Sequence, residues 1–199
     1  MILKRIPAGV YAANCYILMD EASKESAVID PGGDDDHIIN EIQKLGAKVD
    51  IILLTHGHAD HTGAVDKLKE KYNVPAALNS KDKEMMMNHE FMYGSINYEI
   101  EKDIKDGYRF TVGGLEINCV ETPGHTPGGV SFIVGNTAFT GDTLFQGSIG
   151  RTDFKWGDHD AIIRSIKTKL LTLPENTIVY PGHGPETTIK YEMVNNPYL

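Results

Sequence analysis

The stretch Thr55-His56-Gly57-His58-Ala59-Asp60-His61-Thr62-Gly63 sets three histidines and one aspartate within six positions. Imidazole nitrogen and carboxylate oxygen at that density suit a borderline divalent cation. A His-rich solvated loop is the plainer reading. The cluster directly follows the apolar run Val49-Asp50-Ile51-Ile52-Leu53-Leu54, which reads as a buried strand. It therefore occupies a strand's exit loop, where a rigid scaffold presents chemistry. Three further stretches share that design: Thr122-Pro123-Gly124-His125-Thr126-Pro127-Gly128-Gly129, Thr140-Gly141-Asp142-Thr143 and Tyr180-Pro181-Gly182-His183-Gly184-Pro185. Any one His or Asp at a strand end is ordinarily a cap or turn residue. Four such loops ending four strands point to one shared metal site.

The elements that must position these loops follow from periodicity. Strand-like patterns run over Asn14–Met19, Ser26–Asp30, 49–54 and Val74–Leu78, then over 108–112, 115–120, 130–134, 137–140 and 176–180. Helical spacing places Ile38, Ile39, Ile42 and Leu45 on one face, with Asp34 to Asp36 at the helix start and Gly46 at its stop. Further helices are expected over Gly63–Tyr72, from Ser80 as cap through Asn88, from Asp158 or Asp160 onward, and over Thr187–Val194. Strands then helices, repeated, predict an α+β chain of two mixed sheets face to face with helices outside. A single doubly wound parallel sheet is the alternative, opposed by the hairpin-like strands of 108–140.

The 199 residues suit one domain with a sizeable core. Apolar residues at 41% and charged residues at 24% are ordinary globular values. A net charge of -9 argues against a nucleic-acid partner, whose binders carry a basic face. No signal peptide and no apolar run long enough for a membrane span are seen, so a soluble, cytoplasmic protein is expected. Cys15 and Cys119 lie in apparent strands and read as buried thiols rather than a disulfide.

His56, His58, Asp60, His61, His125, Asp142 and His183 together resemble the complete ligand set of the metallo-β-lactamase superfamily. Within it the chain is similar to the hydrolase branch of glyoxalase II (hydroxyacylglutathione hydrolase), including its Asp30-Pro31-Gly32 turn. The resemblance spans essentially the whole chain and implies an αββα sandwich with a dinuclear site at one edge of the sheets. It implies His56, His58 and His125 on one ion, Asp60, His61 and His183 on the other, and Asp142 as the bridge. Two divalent ions are expected, zinc first, with iron or manganese as alternatives. Their four positive charges, less Asp60, Asp142 and a bridging hydroxide, leave a net positive centre for a carbonyl or carboxylate. The implied reaction is attack of that hydroxide on an acyl carbon, with Asp60 also orienting it. Coordination brings the water pKa from about 15.7 to roughly 7. A thioester suits the site because a thiolate, its thiol pKa near about 8.5, leaves without a strong acid.

Within the superfamily, His58 stands where flavodiiron oxidoreductases carry Glu, and His61 with Asp142 sets the chain apart from typical β-lactamases. Persulfide dioxygenases are the alternative, using one iron on residues matching His56, His125 and Asp142. Transfer-RNA maturation nucleases share the ligands, but the acidic charge disfavours them. Typical glyoxalase II continues into a C-terminal helical domain, and this sequence stops at Leu199, so it resembles the short branch as a single domain over 1–199. The implied substrate is a small thioester or ester, lactones included. Arg151 has two readings, a contact for a substrate carboxylate and an ion pair with Asp153. Segment 88–98, with Phe91, Met92, Tyr93 and Tyr98, has three: a lid, packing on a sheet, or a subunit contact. His37 and His159 read as exposed, Met85 to Met87 as core and cleft lining, and Trp156 supports no reading. Gly147-Ser148-x-Gly150 lacks the spacing of a serine nucleophile elbow.

Overall fold

The computed structural model describes residues 1–199. Six strands form the first sheet in the order β1 (Ile2–Ala8), β2 (Ala13–Met19), β3 (Glu25–Ile29), β4 (Lys48–Leu53), β5 (Ala76–Leu78) and β6 (Lys102–Asp103). Helices α1 (Asp35–Leu45), α2 (Ala59–Thr62), α3 (Val65–Tyr72) and α4 (Ser80–Met87) connect its later strands. The second sheet runs in the order β14 (Thr187–Thr188), β13 (Ile178–Pro181), β10 (Thr137–Gly141), β9 (Val130–Val134), β8 (Leu115–Glu121) and β7 (Arg109–Val112). A small hairpin of β11 (Leu144–Phe145) and β12 (Ser148–Ile149) follows β10. Helices α5 (His159–Ser165), continued by a π-helical turn over Ile166–Leu170, and α6 (Ile189–Asn195) complete the chain.

Both sheets are mixed, and they meet face to face. Tyr16, Leu18, Ile29 and Leu53 of the first sheet pack against Phe110, Ile117, Phe132 and Phe139 of the second. The opposite face of the first sheet, with Cys15, Ile17 and Ile52, is covered by Ile38, Ile42, Val65 and Leu68 of α1 and α3. Outside the second sheet, Ile162, Ile166, Leu170 and Ile189 close over Val179. Because β2 is covered on both faces, every one of its residues is buried, so alternation gives way to a continuous apolar run. The αββα sandwich follows, and the doubly wound alternative is overturned by the antiparallel pairings of β7 to β10.

Strand direction decides where the site lies. β3 and β4 are parallel. β10 and β13 are parallel, and β8 shares their direction because each is antiparallel to β9. The exit loops of these strands gather at one edge of the sandwich. The loops of the two sheets touch there, where the Val130 amide donates to Thr55 O at 2.8 Å.

Several local expectations change. Asp34 stands at the start of α1 but adopts a left-handed conformation (φ 49°), and its carboxylate accepts from the Gly9 amide at 2.8 Å instead of capping the helix. Asn79, not Ser80, caps α4 by accepting from the Lys81 amide. The helix expected over 63–72 is α3, which begins at Val65 because the Ala64 amide donates to Pro31 O, and the one-turn helix α2 (Ala59–Thr62) precedes it within the histidine loop. Thr187 and Thr188 form a strand before α6 begins. No helix is long and apolar enough to cross a membrane.

Both cysteines are free and fully buried, Cys15 between the first sheet and its helices and Cys119 between the two sheets. Burial pushes the Cys119 thiol up to about 12 and the Cys15 thiol further. Neither is expected to react with a thiol reagent near pH 8 until the chain is denatured; rapid labelling of native protein would contradict this packing.

Candidate metal centre

The His-bearing loop leaves β4 as an extended turn and enters the single-turn helix α2. His56, His58 and His61 are all buried, while Asp60 is half-buried. Gly32 lies under that turn with no room for a side chain, since a Cβ there would stand 1.6 Å from Asp60 O. The loop after β8 brings in His125, Asp142 directly follows β10, and the turn after β13 carries His183. Gly182 is required beside it, because a Cβ would sit 2.2 Å from Asp142 Oδ1.

The seven donors form two adjoining groups. Ligand atoms of His56, His58 and His125 lie within 4.8 Å of one another, as do those of Asp60, His61 and His183. Asp142 stands between them: Oδ1 is 3.4 Å from His61 Nε2, and Oδ2 is 3.5 Å from His125 Nε2 and 3.6 Å from His183 Nε2. His183 Nε2 approaches Asp60 Oδ2 at 3.3 Å.

Hydrogen bonds fix which imidazole nitrogen faces the centre. Asp30, at the end of β3, accepts the Thr55 amide on Oδ1 at 2.7 Å and the Thr55 hydroxyl on Oδ2 at 2.6 Å. The hydroxyl proton being committed there, Thr55 Oγ1 accepts from His56 Nδ1 at 3.0 Å. Asp30 Oδ2 also accepts from His61 Nδ1 at 3.0 Å. His125 donates from Nδ1 to Arg151 O at 2.8 Å. The Nε2 atoms of all three rings are thereby left toward the centre, the arrangement by which carboxylates and carbonyls orient metal-binding histidines.

Two of those inward nitrogens lack partners, and so does one oxygen beside them. His56 Nε2, His61 Nε2 and Asp142 Oδ1 are buried without a hydrogen bond, and His58 Nδ1 faces His125 Nε2 at 3.0 Å. Each such orphan costs about 1–3 kcal/mol. Their convergence on one spot is the signature expected of a cation site, so the donor set fits divalent metal.

Electrostatics divide the two groups. Burial, reinforced by the neighbouring imidazoles, holds His56 well below its ordinary pKa and His58 down to about 3. Burial acts in the same sense on His61, but Asp142 and Asp30 outweigh it and raise that group well above its ordinary value. His183 is raised by Asp60 and Asp142 against burial. Asp142 is lowered far below the carboxylate range, His61 and His125 overcoming its burial.

Two supports carried no signal as such in the sequence. Asp82, in the first turn of α4 and fully buried, accepts the Gly57 amide at 2.8 Å and the Gly128 amide at 2.7 Å. One carboxylate thus ties the His56–His58 loop to the His125 loop. Asp82→Ala is expected to lower stability by about 1–3 kcal/mol for each amide left unpaired and to weaken metal binding. Thermal unfolding with and without metal measures both; an unchanged midpoint would refute the clamp. Similarly, Asn14 Nδ2 donates to Pro181 O and Gly184 O, and the Tyr16 hydroxyl donates to Pro181 O, which seats the His183 turn.

Arg151 forms the pair with Asp153, Nε and Nη2 each donating at 2.9 Å. Segment 88–98 is laid against the His loop: Ala59 N donates to Met92 O, Gly94 N donates to Gly57 O, and Asp66 accepts from Asn97. Met86 is buried in the core, and Met87 is exposed. His37 and His159 are exposed.

A sandwich whose seam carries two joined His/Asp donor groups is the architecture of a metallo-hydrolase. The family described as the metallo-beta-lactamase superfamily matches residues 8–183, and the chain belongs to it. The hydroxyacylglutathione hydrolase GloC of Haemophilus influenzae is 39% identical over 100% of this chain and 98% of its own length. The crystal structure of the BLEG-1 B3 metallo-beta-lactamase superposes with a TM-score of 0.93 at 37% identity, covering 100% of this chain and 99% of that one. TTHA1623, solved in a di-iron-bound form, matches with a TM-score of 0.86 at 33% identity over 98% of this chain and 100% of its own.

Proposed function

We propose that the chain is a dinuclear metal-dependent thioester hydrolase. In this reading His56, His58 and His125 hold one ion, Asp60, His61 and His183 hold the other, and Asp142 touches both. Zinc is the expected ion from the His-rich donor set, while the di-iron form of TTHA1623 supports iron as an occupant. When bound, two divalent cations supply Lewis acidity and lower the pKa of a coordinated water toward about 7. The observation that carries the reading is the pair of donor groups sharing Asp142. The full-length similarity to a protein named hydroxyacylglutathione hydrolase supports thioesters over other acyl compounds.

The chain's own residues have distinct tasks. Burial works to raise Asp60, but His183 and His61 keep its carboxyl below the ordinary range. Near neutral pH it is therefore an ionised acceptor at the centre's rim, placed to orient the attacking water. Asp30 and Arg151 O hold His61 and His125 in the tautomers that present Nε2. A thiolate leaving group demands no strong acid from the chain.

Metal analysis of chelator-free protein, joined to assays on thioesters, lactones and a persulfide, tests the reading. Two ions per chain and thioester turnover are expected. One iron per chain with oxygen consumed on a persulfide would replace it with a dioxygenase. His183→Ala is a second arm, since undiminished thioester turnover in that variant would rule out the second ion's role.

A further inference from the structure

A cleft of about 50 Å³ opens beside His58 and His125, between segment 88–98 and the loop that follows Arg151. Its walls are aromatic. Phe91 and Tyr93 come from one side, Phe154 and Trp156 from the other. The Tyr93 ring lies 4.9 Å from that of His58, and the Phe154 ring lies 5.8 Å from His58 and 6.1 Å from His125. Any group seated there adjoins the reacting centre. Phe91 at 82% exposure and Trp156 at 39% leave apolar surface at its mouth.

The charges around this cleft cancel locally. Lys155 reaches both Glu90 carboxylate oxygens at 3.3 Å and lies 4.5 Å above the Trp156 ring. The Trp156 indole and Lys155 together hold Glu90 below its usual carboxyl range. Arg151 is engaged by both oxygens of Asp153, with its guanidinium 4.4 Å over the Phe154 ring. Both cations therefore have a carboxylate and an aromatic face of their own. What remains for a ligand is ring surface rather than charge.

We propose that this cleft receives the acyl group of the substrate, and that the acyl group is uncharged and aromatic or branched aliphatic. The inference rests on the thioester reading above and specifies its substrate class. Size supports the acyl half: at about 50 Å³ the enclosed part takes a few heavy atoms, so a ring or branched chain seats its inner edge there and lies against Phe91 and Trp156 at the open mouth, while a thiol carrier is too large to enter. The carrier lies on the other side, where His183 is partly open to solvent.

The test uses the metal-loaded full chain and three thioesters of N-acetylcysteamine, carrying phenylacetyl, acetyl or succinyl groups. Phenylacetyl is expected to exceed both others in kcat/KM by at least roughly 10-fold, the scale on which apolar pockets discriminate. Phe154→Ala is expected to bring the phenylacetyl-to-acetyl ratio within about threefold, and Phe154→Leu to keep most of it. Should Phe154→Ala fail to fold, Trp156→Ala at the exposed mouth makes the same test. Equal rates for the three esters, or a succinyl preference, would overturn the proposal. Trp156 is the one tryptophan of the chain and gives a readout free of turnover. The unreactive thioether S-phenethyl-N-acetylcysteamine is expected to change its fluorescence saturably. Saturable binding without turnover of any thioester would remove the thioester reading and keep the apolar cleft. Turnover without preference and without a fluorescence change would keep that reading and remove the cleft assignment.

Discussion

Replacing Asp142 by alanine is expected to empty both donor groups together and to lower kcat/KM by roughly 10³-fold or more, the scale of losing metal-supplied transition-state stabilisation. Its carboxylate stands 3.4–3.6 Å from His61, His125 and His183, so it reaches donors of both halves. Without it, five imidazoles converge with only Asp60 to offset a cation's charge. Metal analysis should read below one ion per chain, against the two expected of the unaltered protein. A variant retaining two ions would show that the halves load without a shared carboxylate. The pH dependence of loading has a definite sign. His61 and His183 are raised, so in metal-free protein they keep a proton to higher pH than a free histidine, and a cation must displace it. Affinity at the Asp60–His61–His183 group should therefore fall as pH drops through neutrality. His56 and His58 are lowered, so protons compete with a cation at their group only in more acidic solution. Calorimetric titration in buffers of different ionisation enthalpy would resolve the two phases; a single pH-independent phase would contradict the assignment.

Asp30→Asn is expected to cost roughly 10–100-fold in metal affinity although it alters neither volume nor backbone, the usual scale for losing a group that orients a metal-binding histidine. Both Asp30 oxygens accept, one from the Thr55 amide and the other from the Thr55 hydroxyl and His61 Nδ1. An asparagine must present its NH₂ to one of these positions. Facing the Thr55 amide, it opposes donor with donor; facing His61, it drives the imidazole proton from Nδ1 to Nε2, the atom proposed to meet the metal. The Thr55 relay to His56 weakens at the same time. Metal competition with a chromophoric chelator measures the loss. Affinity equal to the unaltered chain would mean that Asp30 does not set the tautomers.

The seven donors were legible because each interrupts a strand end with a residue type that apolar patterning does not explain. The sandwich was legible from hairpin-like strands in the second half, which a doubly wound sheet would not contain. What escaped the sequence was tertiary. Asp82 in a helix's first turn is indistinguishable by pattern from Asp35 or Asp160, yet only Asp82 accepts amides from two loops. Asp30 was visible only as part of an Asp-Pro-Gly turn, since its partners lie 25 and 31 residues away. The break between α2 and α3 arises from one amide turning to Pro31 O, and two-residue strands such as β6 carry no periodicity. The bidentate Arg151–Asp153 pair was one of two readings that spacing could not separate.

The gathering of exit loops from both sheets has a consequence for how the molecule comes apart. Asp30 and the histidine loop belong to the first sheet, and His125, Asp142 and His183 belong to the second. A cation held between them acts as a removable rivet through the two leaves. At a hundredfold excess over its dissociation constant a single ion adds about 2.7 kcal/mol to the closed form. Withdrawal of such a metal would then reach beyond catalysis, and the apo chain is expected to part its leaves more easily and to survive proteases for a shorter time.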